Sequence, residues 1–149
     1  MKLAAESQTH IQNFFRSHLR DETLELPSVS IYGNRFAGLL TGVCRVGGIT
    51  FGRRIFVAPS FIKRNETGRL TIPGWLVAHE AMHMLQYKEH GTVGFLACYL
   101  HEFWQRLRET KRWDRAARMT AYLAIAEECV ARAAEDAYCA WSGEDKDEG

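Results

Sequence analysis

The sequence predicts an α+β fold: an N-terminal helix, a small antiparallel sheet, and helices from there to the end. Three observations predict it. Apolar residues recur at helical spacing near the start, residues 29 to 57 are β-branched, aromatic and glycine-punctuated, and helical periodicity is nearly continuous from Trp75 onward.

Residues 3 to 19 place Leu3, Ile11, Phe14, Phe15 and Leu19 close to helical spacing, with Asp21 and Pro27 following, which predicts an amphipathic helix acting as a lid or brace. The segments VSIYGN, LLTGVCRVGG and ITFGRRIFV predict the strands of the sheet, with glycines at 33, 38, 42, 47, 48 and 52 as turns. In the last of them Ile49, Phe51, Ile55 and Val57 share odd positions, as one buried strand face requires, and Phe56 departs from the pattern. Residues 63 to 74 read as loop. Pro73 and Gly74 then precede a helix from Trp75 to about Glu89, Gly91 separates it from a second helix at 92 to 109, and a third helical region covers 113 to 141. The sheet is expected to cover one side of the helix at 75 to 89. The whole reads as one domain over 1–141 with a polar, disordered tail at 142–149.

Composition narrows the function classes. The chain has 149 residues, 46% of them hydrophobic and 25% charged, the profile of a globular domain. A formal charge of +1 offers no electrostatic excess for nucleic acid or an anionic membrane, so neither is expected as a partner. Cys44, Cys98, Cys129 and Cys139 form no C-x-x-C pair and the first residues lack an apolar secretory core, which together predict a reduced, cytoplasmic protein. The longest apolar run, Trp75 to Leu85, falls well short of the roughly 20 residues of a membrane span.

That run carries the chemistry. His79, Glu80 and His83 spell H-E-x-x-H, and two histidines four apart on a helix present imidazoles on one face, close enough to share a tetrahedral zinc ion. Glu80 is rotated about 100° from His79, which suits a general base acting on a metal-activated water better than a ligand. Of the eleven residues from Trp75 to Leu85 only these three are not apolar. Burying a carboxylate and two imidazoles without partners costs several kcal/mol, and one zinc ion in a water-filled cleft removes that cost.

A catalytic zinc takes three protein ligands, so a third must come from elsewhere. His10, His18, His90 and His101 are the spare histidines; His101 opens a second His-Glu pair, but Gln105 stands where its partner would be, and it reads as a surface residue. Glu127, Glu128, Glu135 and Asp136 are the carboxylates of the C-terminal helical pattern. Glu128 lies between Ala124 and Ala131, whose small size admits a close helix approach, whereas Leu123, Val130 and Ala134 around Glu127 imply burial and a partner for it as well. Glu135 and Asp136 read as more easily solvated. Gln86 shares the histidine face, either supporting the site or finishing the helix. Tyr99, Tyr122, Tyr138, His101 and Arg132 are candidate oxyanion donors. Cys129 reads as a small buried thiol, and Phe95, Tyr99, Phe103 and Trp104 as core.

The run from ITFGRRIFVAP through LTIPGWLVAHEAMHMLQY to YLAIAEECVARAAE resembles the bacterial metallopeptidase domains that also form the core domain of extracellular contractile injection system proteins, themselves similar to gluzincins. His79, Glu80, His83 and Gln86 match the H-E-x-x-H-x-x-Q helix, and Glu128 with Ala131 matches the later Glu-x-x-Ala element, over about residues 41 to 138. Ala126 and Val130 stand where the family often has Pro and a second Glu, and Arg132 where many gluzincins have Asp. The resemblance implies a zincin-like fold, Glu128 as the third zinc ligand, and a metallopeptidase acting on polypeptide. A zinc-binding scaffold or effector module without turnover is the competing expectation.

Overall fold

The computed structural model describes residues 3–44, 46–66 and 68–146. It is α+β, in the order α1 (Ala5–Leu19), β1 (Ser30–Tyr32), α2 (Arg35–Cys44), β2 (Gly48–Phe51), β3 (Arg54–Val57), β4 (Lys63–Arg64), β5 (Leu70–Thr71), α3 (Gly74–Glu109), α4 (Arg115–Leu123) and α5 (Ala126–Ser142). A three-stranded sheet has the order β1-β3-β2, with β1 parallel and β2 antiparallel to β3, which leaves β2 at an edge.

Two features of the segment 29 to 57 differ from expectation. RFAGLLTGVC is helix α2 rather than strand. Asn34 starts it, its side-chain oxygen accepting from the Ala37 N–H at 3.0 Å, and a helix here is what lets β1 return parallel to β3. ITFGRRIFV is a hairpin rather than one strand. Pairing of Thr50 with Ile55 and Gly48 with Val57 puts even residues of β2 and odd residues of β3 on one buried face, because the two-residue turn at 52–53 shifts the parity. Phe51 is therefore exposed, and Phe56 stacks on Tyr32 on the opposite face. Residues 63 to 74 are not all loop, since β4 and β5 pair antiparallel.

Helix α3 organises the rest. Its sheet-facing side sets Leu76 and Met84 against Val29, Ile31, Ile55 and Val57, so the sheet covers one side of this helix as expected. Val77, Ala78, Ala81 and Met82 turn the other way, into a cluster with Ile11, Phe14 and Phe15 of α1 and Ala131, Ala134 and Tyr138 of α5. No residue of α1 lines the cleft described below, so α1 is a brace and not a lid. Small residues on both sides let α3 and α5 lie close.

Gly91, with φ 69° and ψ 161°, interrupts α3 in a region that only glycine adopts at low cost, and the second arm leaves in a new direction. The C-terminal helical region is likewise two helices. Ile125 is extended (φ −66°, ψ 134°) and caps α5, so Glu127 and Glu128 lie in the first turn of a helix and not in the middle of one. Beyond α5, the Gly74 N–H donates to Glu144 at 2.8 Å and Lys146 pairs with Glu135 at 2.8 Å, contacts that reach into the segment expected to be tail; residues 147–149 lie outside the described residues. No helix among the described residues is long and apolar enough to cross a membrane.

A Cβ on Gly91 would meet no atom within 4 Å, so Gly91→Ala reports backbone cost alone. Chemical denaturation should show a loss of about 1 to 3 kcal/mol, and an unchanged midpoint would show that the break is not strained.

Candidate metal centre

His79 and His83, one turn apart on α3, point into a cleft with rings 5.1 Å apart at 76°. The first turn of α5 brings Glu128 over both: its Oε2 lies 3.5 Å from His79 Nε2 and its Oε1 3.4 Å from His83 Nε2. One donor atom from each of the three lies within 4.8 Å of the others, so this group can hold a metal ion. Of the two adjacent acids it is Glu128 that faces the histidines, and the flank of Ala131, fully buried in the interface, permits the approach. Ala124 contributes nothing of the kind, being the residue that ends α4.

The remaining valences are arranged to fit a cation. His79 Nδ1–H donates to Glu135 Oε2 at 2.9 Å and His83 Nδ1–H to Gln86 Oε1 at 2.7 Å, which leaves both Nε2 lone pairs aimed at the shared point. Gln86 is held in turn by donating Nε2–H to the Glu127 carbonyl at 3.1 Å, so it supports the site, and the helix runs on past it to the break at Gly91 rather than finishing there. Glu128 Oε1 accepts from the Tyr99 hydroxyl at 2.6 Å, whereas Glu128 Oε2 is buried with no hydrogen-bond partner. A buried carboxylate oxygen without a partner, beside two imidazole nitrogens, is a donor set that could hold a metal ion.

The electrostatics agree. Burial alone would lower the His79 pKa, but hydrogen bonds to Glu128 and Glu135 outweigh it and raise it to about 10. Burial is likewise opposed at His83, chiefly by Glu128, and its pKa is raised. Burial would raise Glu128, yet the two histidines hold it well below the usual carboxylate range. Protonated imidazoles thus compensate the carboxylates, and a cation would replace those protons.

Glu80 is buried on the sheet side of α3 rather than among the ligands. Its Oε2 accepts from the Thr50 hydroxyl at 2.7 Å, and Thr50 also donates to the Glu80 carbonyl at 3.0 Å, which ties β2 to the motif helix. Burial pushes the Glu80 carboxyl upward, against the pull of the two histidines and Thr50. Gly48 makes this possible, because a Cβ there would stand 2.4 Å from Glu80 Oε1.

The cleft has a volume of about 850 Å³, with the triad and Glu80 among its lining residues. Edge strand β2 contributes to one side, the second arm of α3 to another, and α4 to a third. Phe95 is buried as expected of core and also lines this cleft; Tyr99 and Phe103, expected as core, line it too, since the break at Gly91 turns their face toward the site, and Trp104 is exposed. Among the oxyanion candidates Tyr99 and Tyr122 line the cleft, and His101, Arg132 and Tyr138 do not. His101 is on the surface as expected. Cys129 is exposed rather than buried, because α5 begins only at Ala126 and turns this residue away from α3. Two supporting residues were missed. Glu135 lies two turns after Glu128 on the same face of α5, a seven-residue spacing visible in the sequence, while no sequence signal connects Thr50 to Glu80.

Binding of added zinc should be abolished in His79→Ala and His83→Ala and retained in His101→Ala. Glu128→Ala should weaken it well beyond the roughly 10- to 100-fold expected of Glu135→Ala, and titration calorimetry showing the reverse order would remove Glu128 from the ligand set.

Comparison with known proteins adds no relative that bears on this centre: no family model matches the chain, and no curated protein or solved structure matches it.

Proposed function

We propose that this chain is a zinc-dependent peptidase, with His79, His83 and Glu128 as ligands and Glu80 as general base, acting on polypeptide substrates. The observation that carries this reading is the combination of three candidate ligands, with no fourth among the described residues, and a further carboxylate lining the same open cleft. A structural zinc site is closed by four protein ligands and has no use for Glu80.

His79, His83 and Glu128 would hold the zinc, which when bound would supply Lewis acidity toward a peptide carbonyl and bring the pKa of a water toward about 7. Glu80, fixed by Thr50, takes a proton from that water and delivers it to the leaving amine. Glu135 and Gln86 keep the two imidazoles in the tautomer that ligates through Nε2. Both Tyr99 and Tyr122 face Glu128 across the cleft; Tyr99 is held by the 2.6 Å bond, and Tyr122, with the looser contact, is the donor assigned to the developing oxyanion. The edge of β2, which no strand covers although the Thr50 carbonyl accepts from the Tyr87 hydroxyl at 3.4 Å, offers backbone groups to an extended substrate as an added strand, which favours endopeptidase action.

Digestion of an unfolded protein mixture tests this directly. Glu80→Gln should keep its zinc and lose about 10²- to 10⁴-fold in rate, and Tyr122→Phe about 10²- to 10³-fold. Zinc loss in Glu80→Gln would place Glu80 among the ligands. Wild-type protein that binds zinc yet cuts nothing would support the scaffold module instead.

Gly48→Ala separates geometry from chemistry, since it leaves the ligands and the base chemically unchanged while its Cβ pushes the Glu80 carboxylate away from β2. The expected outcome is full zinc occupancy with a rate lowered at least tenfold, read by metal analysis alongside the digest.

A further inference from the structure

The cleft lining is uneven in a way that specifies a substrate. Away from the triad and Glu80 its side chains are almost all apolar: Ile49 and Phe51 come from β2, Leu96, Leu100 and Phe103 from the second arm of α3. Phe51 and Leu100 are each more than half exposed, apolar surface left uncovered at the site itself. The exception is α4. Its residues Arg115, Arg118, Met119 and Tyr122 line the cleft at the i, i+3, i+4, i+7 spacing of one helix face, which sets two exposed arginines beside an otherwise apolar groove. Neither guanidinium forms an ion pair among the described residues. The only acidic side chains in the lining are Glu80 and Glu128, both already engaged by Thr50 and by Tyr99 and the histidines.

We infer that the cleft selects polypeptides with apolar side chains at the scissile bond and a carboxylate two or three residues away, held by Arg115 and Arg118; this rests on the peptidase reading. The spacing follows from α4. At 1.5 Å per residue, Arg118 is about 6 Å and Arg115 about 10 Å along the helix from Tyr122, and an extended peptide advances about 3.3 Å per residue. Arginine's planar fork matches a carboxylate in two-point contact, and both arginines are exposed and so open to an incoming chain. The net charge of +1 creates no general attraction for acidic chains, so the preference is local to this groove. The carboxylate belongs either to an Asp or Glu side chain or to a chain end.

The test uses the zinc-loaded full chain and matched peptides sharing an apolar scissile pair. One series carries Glu, Gln or Lys at the second or third position away; a second ends there in a free carboxylate or its amide. The expected result is a kcat/KM about tenfold higher for Glu than for Gln, expressed in KM, with the order inverted to Lys over Glu in R115E/R118E. A response confined to the second series assigns the same site to a chain end. The melting temperature of the double variant checks its fold, and Arg115→Gln and Arg118→Gln, each lowering the Glu preference, serve if it does not fold. Cleavage without a carboxylate preference, or a preference unchanged in these variants, overturns this inference and leaves the peptidase reading standing. No cleavage of any peptide overturns both.

Discussion

The close approach of α5 to the first arm of α3 is the contact on which the centre depends. Ala78 and Ala81 on one helix and Ala131 and Ala134 on the other are fully buried in one cluster, with no side chain long enough to hold the backbones apart. Only across such an interface does a glutamate, with two methylenes, reach imidazoles on the neighbouring helix. Enlarging any of these alanines would lengthen the gap that Glu128 spans and overpack a full core. The ligand set is therefore a consequence of packing, and the apolar cluster behind it, braced by Phe14 and Phe15 of α1, keeps the geometry from relaxing.

Electrostatics sets a second constraint, because the His83 imidazole and the carboxylates of Glu80 and Glu128 are buried within one small region, with the half-buried His79 imidazole beside them. Desolvation of each group alone is unfavourable, and what offsets it is a closed set of partners: Glu135 and Gln86 behind the histidines, Tyr99 on Glu128, Thr50 on Glu80. Glu128 Oε2 is the one oxygen at the centre of this set left without a hydrogen bond. The arrangement is thus complete everywhere except at the point that the three candidate ligands share.

The walls of the cleft come from two interruptions of helix. At Gly91 the backbone leaves the helical region, and the stripe Phe95, Tyr99 and Phe103 turns over the site instead of continuing the line of the motif. At Ala124 and Ile125 the chain stops and restarts, so α4 closes one end while α5 begins with Glu128 in its first turn. Without the second break Glu128 and Tyr122 would lie six residues apart on one rod, about 9 Å along its axis and on different faces. The break lets both line one cavity.

What the sequence determined is what local periodicity and spacing encode. The i, i+4 histidines, Glu80 a hundred degrees away, the helix break at Gly91, the α+β order and the burial of one face of Ile55 and Val57 follow from positions along the chain, and each is present in the fold. Of the two small flanks that favour Glu128 over Glu127, Ala131 is buried in the interface and Ala124 ends α4. Tertiary structure decided the rest. The segment 35 to 44 has both the β-rich composition of a strand and the length of a helix, and only the parallel return of β1 to β3 selects the helix. The hairpin turn at 52–53 reverses which residues of β2 are buried and so delivers Thr50, which has no sequence mark, to Glu80. Glu135 reads as a solvated acid near the end of a helix until α5 is laid against α3, when the same side chain becomes the partner of His79. The physical reason is common to these cases: periodicity specifies which face of an element is apolar, whereas the partner that a polar group on that face meets depends on the element packed against it.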